Sequence, residues 1–380
     1  MLRVAIVAGE SSGDLLGARV MGALRAALPD VEFRFEGVGG DAMLKQGMES
    51  FFPMERLAVM GLVEPLGRLP ELLGRRRALV ARWRRNPPAF FLGVDAPDFN
   101  LGLARRLKSL GVPTVHLVSP TVWAWRPGRV SVVANACNQL LCLFPFEPAY
   151  YSQTGLKAHF VGHPIASLLE QADGRSEARA SFGLADSDTV FALLPGSRHS
   201  EVSQLFPDFV RAASLLQQRD PTRKVLIPAA SVQRRQQLGG LLKQSSVTAD
   251  LRLVDGHSHQ VMLASDVVIT ASGTASLEAM LLKRPMVIGY RLAALSWMLL
   301  SRLLVTKYAG LPNILAGRPV VPELLQDSLT GPHLALEAER LLAEGDQQVA
   351  SLARCREDLS LNFDEAVVTA LQPMIEGMSQ

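Results

Sequence analysis

"LRVAIVAGESSGDLLGARVMGALRAAL" (residues 2–28) is the stretch of sequence that decides the fold. Residues 2–8 are almost entirely β-branched or apolar, which predicts a buried strand. From residue 13 to residue 28 the apolar positions recur at helical spacing, and "GESSGD" (9–14) supplies the turn between the two elements. A buried strand that passes directly into a helix is typical of a parallel sheet covered by helices on both faces.

The same alternation of strand and helix recurs along the chain in two series. Further strands are predicted at 89–95, 113–119 and 139–144, and then at 189–197, 224–230, 250–256, 266–273 and 285–290. The polar, turn-rich stretch 170–188 separates the series. We therefore predict an α/β protein with two doubly wound, Rossmann-like domains and an interdomain cleft. The predicted domains are 1–170 and 171–349, and a helix at about 350–378 is expected to pack back on the first.

The composition of the chain limits the classes of protein to which it can belong. Hydrophobic residues make up 48 % of the 380 residues and charged residues 20 %, which allows a sizeable core. The three cysteines form no C-x-x-C pair, so neither disulfides nor a zinc site is expected. The formal net charge of +3 is too small to indicate nucleic-acid binding. No stretch is apolar enough over the roughly 20 residues that a membrane-spanning helix needs, so any membrane contact is expected at the bilayer surface.

Polar residues follow the predicted strands of the first series, where ligands of such folds bind. In "GESSGD" the residues Ser11, Ser12, Gly13 and Asp14 can present N–H groups and hydroxyls to a ligand, or form an ordinary tight turn. In "GVDAPDFN" (93–100) Asp95 ends a strand and could act as a general base, whereas Asp98 and Asn100 could cap a helix. "SPTVWAWRPGR" (119–129) looks like a wall that stacks on a sugar ring or holds an anion.

The second series carries small-residue turns suited to a phosphate. In "LLPGSRHSEV" (193–202), Gly196, Ser197 and Arg198 combine N–H groups at a helix start with a guanidinium. "TASGTASLEAML" (270–281) is a second turn of small residues before a helix. Its Glu278 either interacts favourably with the helix dipole or accepts hydrogen bonds from the hydroxyls of a ribose. "GLPNILAGR" (310–318) adds polar residues in an irregular segment. The acidic triplet "DSD" (186–188) is interpreted as a turn, so no metal site is expected.

Seven segments in this order resemble the lipid-A-disaccharide synthase family: "VAGESSGD", "LAVMGLVEPLGRL", "GVDAPDFN", "SPTVWAWR", "LPGSR", "ASGTASLE" and "LPNILAGR". The resemblance runs from Val4 to about Arg318. It implies a metal-independent, inverting glycosyltransferase of the GT-B architecture that needs no cofactor. The implied donor is UDP-2,3-diacylglucosamine and the implied acceptor is 2,3-diacylglucosamine 1-phosphate (lipid X). The products would be UDP and the β-1,6-linked disaccharide 1-phosphate, made on the cytoplasmic face of the Gram-negative inner membrane. The resemblance also suggests that the chain can form a homodimer.

Under this resemblance Asp95 is the expected general base. The residues expected to bind the donor are Gly196, Ser197, Arg198, Ser272, Gly273, Thr274, Glu278 and Asn313. Those expected on the acceptor side are Ser11, Ser12, Gly13, Asp14, Trp125 and Arg126.

The segment 56–85, "RLAVMGLVEPLGRLPELLGRRRALVARWRR", is apolar at first and then rich in arginine. Since both implied substrates carry acyl chains, we expect it to lie on an anionic membrane; a domain or dimer contact would use the same residue types. The residues expected to contact the membrane are Val59, Met60, Leu62, Val63, Leu66, Leu69, Leu72, Leu73, Arg75, Arg76 and Arg77, with Arg68, Arg82, Arg84 and Arg85 near the head groups. A second apolar segment, 292–305, is either an accessory surface or a buried helix.

Two other functions are compatible with part of this sequence. A UDP-N-acetylglucosamine 2-epimerase has the same two-domain architecture but needs no surface for acyl chains. A catalytically inactive membrane scaffold would not need Asp95, Arg198 and Glu278. A nicotinamide-dependent oxidoreductase is disfavoured because "GVGGDA" (37–42) departs from the dinucleotide fingerprint.

Overall fold

The computed structural model describes the chain except for residues 58–63, 125–126, 171–173, 246–248, 293–296, 298–304 and 378–380, and except for the side chains of 64–68 and 170. The described chain forms two compact units. The first comprises Met1–Pro164 together with Leu361–Gln380, and the second comprises Ile165–Ser360.

The first unit is built on a seven-stranded parallel sheet with the order β3-β2-β1-β4-β5-β6-β7. Its strands are β1 (Leu2–Ala8), β2 (Phe33–Val38), β3 (Glu49–Ser50), β4 (Phe90–Val94), β5 (Thr114–Leu117), β6 (Gln139–Cys142) and β7 (Lys157–Phe160). The strand order reverses between β1 and β4, and ligands of doubly wound sheets bind outside the carboxyl ends of strands at such a point.

Helices cover this sheet because its central strands are mostly apolar and buried. Residues 4–8 of β1 are fully buried, and Val20, Met21 and Leu24 pack on the sheet from the helix that follows. The helices are α1 (Ser11–Ala27), α2 (Asp41–Lys45), α3 (Glu64–Arg85), α4 (Pro97–Lys108) and α5 (Arg129–Ala136). The first helix therefore begins two residues before the predicted position.

The second unit repeats the plan with a six-stranded parallel sheet of order β10-β9-β8-β11-β12-β13. Its strands are β8 (Val190–Leu194), β9 (Lys224–Ala229), β10 (Leu251–Asp255), β11 (Val267–Ala271), β12 (Met286–Tyr290) and β13 (Glu323–Leu325). The helices are α6 (Pro164–Glu170, which begins at the last residue of the first unit), α7 (Arg175–Ser181), α8 (His199–Arg219), α9 (Val232–Gln244), α10 (Ser258–Ala264), α11 (Thr274–Leu281), α12 (Leu311–Ala316), α13 (Gly331–Ser351) and α14 (Ala353–Leu359). The two parallel sheets with covering helices confirm the predicted α/β fold.

The last helix, α15 (Phe363–Glu376), belongs to the first unit. Phe363, Val367 and Leu371 are buried in the core of that unit, and Asp364 pairs with Arg19 of α1 at 2.7 Å. The sequence predicts one helix at about 350–378, but the structure interrupts it: α14 ends at Leu359 and α15 begins at Phe363. The side chain of Asn362 accepts the N–H groups of Asp364 and Glu365 and so starts a new helix.

Candidate functional site

A cavity of about 440 Å³ lies at the carboxyl ends of β8 and β11 in the second unit. We call it the donor cavity. It brings together seven of the eight residues predicted to bind a donor: Gly196, Ser197, Arg198, Ser272, Gly273, Thr274 and Glu278. The two turns that carry them lie far apart in the sequence but on adjacent strands, because β8 pairs directly with β11.

Both turns require glycine at one position. Gly196 has φ +107° and Gly273 has φ +149°, a region that favours glycine. A Cβ on Gly196 would also lie 2.7 Å from a carboxylate oxygen of Glu201. The backbone therefore turns sharply and leaves open space in front of the starts of α8 and α11, where N–H groups favour an anion.

Arg198 stands at the rim of the donor cavity with 78 % of its side chain exposed. Glu201 holds it from one turn along α8: one carboxylate oxygen accepts the Arg198 N–H at 3.2 Å and the other pairs with its guanidinium at 2.8 Å. The guanidinium is thus positioned but keeps free N–H donors for an incoming anion.

Glu278 lies on α11 and is mostly buried, with His259 Nε2 3.3 Å from its carboxylate. The hydrogen bond to Glu278 raises the pKa of His259. His259 was not among the predicted site residues, although "DGHSHQ" follows β10 as the other site turns follow their strands. A carboxylate held in this way can accept hydroxyl groups of a sugar.

Asn313 lies behind the wall of the donor cavity, which corrects the expectation that it positions the donor directly. It is 1 % exposed. Its amide donates to Val321 O and to Glu323, and its oxygen accepts the N–H groups of Val320 and Val321. Every hydrogen-bonding direction of the side chain is therefore used internally.

The same network reaches the cavity through Ser272. Its hydroxyl donates to Ala309 O at 2.7 Å, while Glu323 accepts the N–H groups of Ala309 and Gly310 at 2.8 and 3.0 Å. Asn313 and Glu323 thus support the turn that carries Ser272, and neither forms part of its surface.

Asp95 follows β4 in the first unit, at the carboxyl edge of that sheet. Asp95 and Ala96 have φ +49° and +43°, and Val118, which follows the neighbouring strand β5, has φ +78°. Left-handed backbone at three residues that are not glycine stores strain, and such strain clusters at functional sites. Burial raises the pKa of Asp95, which suits a carboxylate that accepts a proton near neutral pH.

Asp98 and Asn100 do not cap the helix, which corrects their predicted role. The N-cap of α4 is Ala96, and Asp98 pairs with Arg129 at the surface. Asn100 is fully buried and donates to the carbonyl oxygens of Val7, Val94 and Asp95. It therefore fixes the turn that holds Asp95.

In the turn "GESSGD", Ser11 and Ser12 are exposed at the start of α1, and Gly13 is buried against Ala8 and Val94. Asp14 is buried and accepts the N–H groups of Gly40, Ala42 and Met43 at 2.8 to 3.1 Å. These contacts give Asp14 a structural role at the start of α2, which corrects its expected place on the acceptor side.

Trp125 and Arg126 lie outside the described residues. Their neighbour Trp123 is buried, and its indole N–H donates to Glu147 at 3.2 Å. Glu147 also accepts the N–H groups of Leu143 and Phe144, and burial raises its pKa to about 7. A buried carboxylate that sequence analysis missed thus anchors the start of this loop.

Much of the predicted membrane surface lies outside the described residues. This part comprises Val59, Met60, Leu62 and Val63 and the side chains of Leu66 and Arg68. Of the rest, Leu69 is 48 % exposed, Leu73 is half-buried and Arg77 is exposed. The second apolar segment, 292–305, also lies almost wholly outside them.

Four predicted membrane residues on α3 make contacts within the protein instead. One is Arg82, which pairs with Glu49 at 3.5 Å and lies over the ring of Phe51. Leu72 packs against the core of the first unit. Arg75 pairs with Glu71 at 2.9 Å and lies over the ring of Phe52. Arg76 donates to Asp98 O and lies over Phe99. These residues secure α3, which leaves the exposed side chains as candidates for a membrane.

Within the described residues no helix is both long and apolar enough to span a bilayer. The same part of the chain contains no group of three or more His, Cys, Asp or Glu side chains placed to hold a metal ion.

A family model described as lipid-A-disaccharide synthetase matches residues 4–368. The chain belongs to the lipid-A-disaccharide synthase family. The lipid-A-disaccharide synthase of Pseudomonas aeruginosa PAO1 is 48 % identical over 375 residues, 98 % of each chain. That of Azotobacter vinelandii is 50 % identical over 349 residues, 92 % of this chain and 91 % of the relative. As a member of this family the chain is a glycosyltransferase of lipid A disaccharide synthesis, which confirms the resemblance.

Solved structures of more distant proteins share the fold. A putative UDP-N-acetylglucosamine 2-epimerase from Listeria monocytogenes superimposes with a TM-score of 0.65 at 11 % identity, over 100 % of this chain and 98 % of the other. The calicheamicin glycosyltransferase CalG4 gives 0.61 at 14 % identity, over 100 % of both chains. At these identities the likeness shows the fold alone, and it confirms the predicted GT-B class.

Proposed function

We propose that this member of the family transfers 2,3-diacylglucosamine from its UDP donor to the 6-hydroxyl of 2,3-diacylglucosamine 1-phosphate, by a metal-independent displacement that inverts the anomeric carbon. The observation that carries the proposal is the donor cavity, in which two glycine turns, a guanidinium and a carboxylate surround one space. These groups match a nucleotide diphosphate: N–H groups and Arg198 for the phosphates, and Glu278 for the ribose.

In the proposed mechanism the second unit binds the donor. Charge develops on the departing diphosphate, and the N–H groups at the starts of α8 and α11 together with Arg198 stabilise it. Hydrogen-bond donors that are already oriented need little reorganisation during the reaction. Glu201 and the Ser272–Ala309 contact hold these donors in place.

The first unit supplies the base. Asp95 takes the proton of the acceptor hydroxyl as that oxygen attacks the anomeric carbon from the face opposite UDP. The side-chain amide of Asn100 donates to the backbone carbonyl oxygen of Asp95 at 2.8 Å and so fixes the backbone there. Ser11, Ser12, Trp125 and Arg126 are proposed to shape the acceptor side.

We further propose that the enzyme works as a peripheral protein on the cytoplasmic face of the inner membrane and can form a homodimer. Leu69 and Arg77 on α3, with the apolar segment 58–66 that precedes and begins it, are the proposed contacts with the bilayer. Leucine side chains enter the acyl boundary, and each exposed arginine near an anionic surface contributes about 1 kcal/mol.

The proposal is tested by incubating the protein with UDP-2,3-diacylglucosamine and 2,3-diacylglucosamine 1-phosphate in detergent micelles with a chelator. Mass spectrometry should detect the disaccharide 1-phosphate and free UDP. If folded protein binds UDP but makes no disaccharide, the proposal is overturned. Conversion of UDP-N-acetylglucosamine alone would support an epimerase instead, and no turnover at all would support an inactive scaffold.

A further inference from the structure

A second cavity, of about 540 Å³, lies in the second unit and is lined by four cationic side chains: Arg175, Lys283, Arg284 and Arg356. We call it the basic cavity. Among the side chains that the structure describes, Glu357 is the one acidic residue of its lining. Lys283 and Arg284 come directly before β12, so the basic cavity is at the amino edge of the sheet and the donor cavity at the carboxyl edge. A five-residue strand separates these edges by about 17 Å.

The described residues compensate the positive charge of the basic cavity only in part. Asp266 pairs with both Arg175 and Arg179, so one carboxylate serves two guanidinium groups. It also accepts the N–H of Val190. Asp266 also favours the charged form of Arg284, so this one carboxylate faces three guanidinium groups.

The other cations form no ion pair with the described residues, although Asp346 acts electrostatically on Arg284, and Glu357 on Arg356, from a greater distance. Arg284 donates to the carbonyl oxygens of Leu282 and Ser265, and Arg356 donates to Val349 O. Lys283 is exposed and forms no ion pair there. Burial lowers the pKa of both Arg284 and Arg356. Arg175 and Arg179 lower that of Arg284 further, and Asp266 and Asp346 offset this only in part.

Like charges held together in a half-buried space are unfavourable unless a counter-charge joins them. The planar guanidinium group pairs well with the oxygen atoms of a phosphate. Apolar side chains, including Leu169 and Leu263, line the rest of the cavity. A ligand that fits both features carries a phosphate group on a partly apolar body, and the volume is typical of small-molecule sites.

We propose that the basic cavity binds a phosphate-bearing anion, at a site separate from the donor cavity. Two sources share this chemistry: a free phosphate ester, and the head group of an anionic phospholipid. The inference does not depend on the substrates proposed above.

The experiment measures binding of radiolabelled inorganic phosphate by equilibrium dialysis. Each measurement is made with and without the substitution Arg198→Gln, so that phosphate bound in the donor cavity is distinguished from phosphate bound in the basic cavity. The test variant is Lys283→Gln/Arg356→Gln. The matched control is Arg354→Gln, because Arg354 lies on the same helix as Arg356 but is 90 % exposed and outside the cavity. Far-UV circular dichroism and thermal midpoints establish that each variant folds.

We expect the Kd for phosphate to rise at least tenfold in the double variant and less than twofold in Arg354→Gln. Lys283→Gln alone, which removes no observed contact, should weaken binding several-fold, and Glu357→Gln should tighten it. A parallel arm measures flotation with phosphatidylglycerol and phosphatidylcholine vesicles. Loss of free phosphate binding supports a soluble ester; loss confined to phosphatidylglycerol vesicles supports a lipid head group. If the double variant matches Arg354→Gln in both arms, the proposal is wrong.

Discussion

Asp95 is held in a left-handed backbone conformation that residues other than glycine rarely adopt, and its neighbour Ala96 is held in the same way. Asn100 binds three backbone carbonyl oxygens around this turn, so the fold compensates for the strain with buried hydrogen bonds. Strain that is held so firmly fixes the direction of one carboxylate. Because its backbone is held in this way, we assign the role of general base to Asp95 and not to Asp98.

Asp95→Asn should lower kcat by about 10²- to 10⁴-fold, the usual contribution of a general base, while UDP binding survives. Only the carboxylate accepts a proton. Burial raises the pKa of Asp95, so the wild-type rate should fall as the pH decreases through a pKa above the ordinary value for Asp. Steady-state kinetics against pH checks both points. Asp98→Asn, which removes a surface ion pair, is the control; equal losses in the two variants would contradict the assignment.

Glu147 should make the stability of the first unit depend on pH. Its pKa is about 7 in the folded protein and near 4.5 when exposed, so the folded state holds a proton that the unfolded state releases. The stabilisation present at pH 4.5 is therefore lost as the pH rises towards 7, by about 3 kcal/mol in total.

Glu147→Gln should remove this dependence, as measured by thermal midpoints from pH 5 to 8. His116, with a pKa of about 4, changes stability in the opposite direction, since it favours folding more as the pH rises from 4 to 6.5. That contribution is common to both proteins and cancels in their difference. Parallel curves for the two proteins would refute the role of Glu147.

The sequence predicts the geometry of a turn well where backbone conformation defines it, and predicts side-chain contacts poorly where polar side chains bind other parts of the protein. Gly196 and Gly273 were predicted because a strand-to-helix turn needs small residues. Asp14 and Asn313 stand in equally distinctive motifs, yet they bind the backbone near residues 40 and 320. No local pattern shows which backbone groups the fold will bring to a side chain.

At the scale of elements, most of the long buried strands were predictable from their apolar runs. β2 is not among the predicted strands, because Arg34 and Glu36 interrupt its apolar run. The short edge strands β3, β7 and β13 were missed, since two to four partly exposed residues carry little pattern. The break between α14 and α15 was also missed, because apolar periodicity continues across it. There the capping side chain of Asn362 decides the structure.

Helix α3 combines residues that anchor it with residues that remain exposed. Leu69→Ser/Leu73→Ser should reduce co-sedimentation with anionic vesicles several-fold, because fewer apolar groups can enter the acyl boundary. Leu44→Ser is a matched control: Leu44 is 47 % exposed and Leu69 is 48 % exposed, in the same unit. Circular dichroism should show both proteins folded. An equal decrease in the two would show a general effect of surface polarity and refute the role of α3.

At the scale of the molecule, each unit has its own hydrophobic core. The core of the first unit includes the side chains of α15, which lies at the other end of the chain, whereas the core of the second is formed by α8, α13 and the central strands of its sheet. Ligand binding to one unit should therefore stabilise that unit directly.

Hydrogen exchange followed by mass spectrometry can test this with UDP. A ligand at 100 times its Kd stabilises the state that binds it by about 2.7 kcal/mol, or roughly 100-fold in the opening equilibrium. Protection should concentrate in 194–201 and 271–278, which line the donor cavity, while peptides from β1 and α15 serve as an internal reference. Arg198→Gln should weaken the protection, because it removes a cation at the rim but leaves the glycine turns intact. Protection confined to the first unit, or unchanged by Arg198→Gln, would place the nucleotide elsewhere and overturn the assignment of the donor cavity.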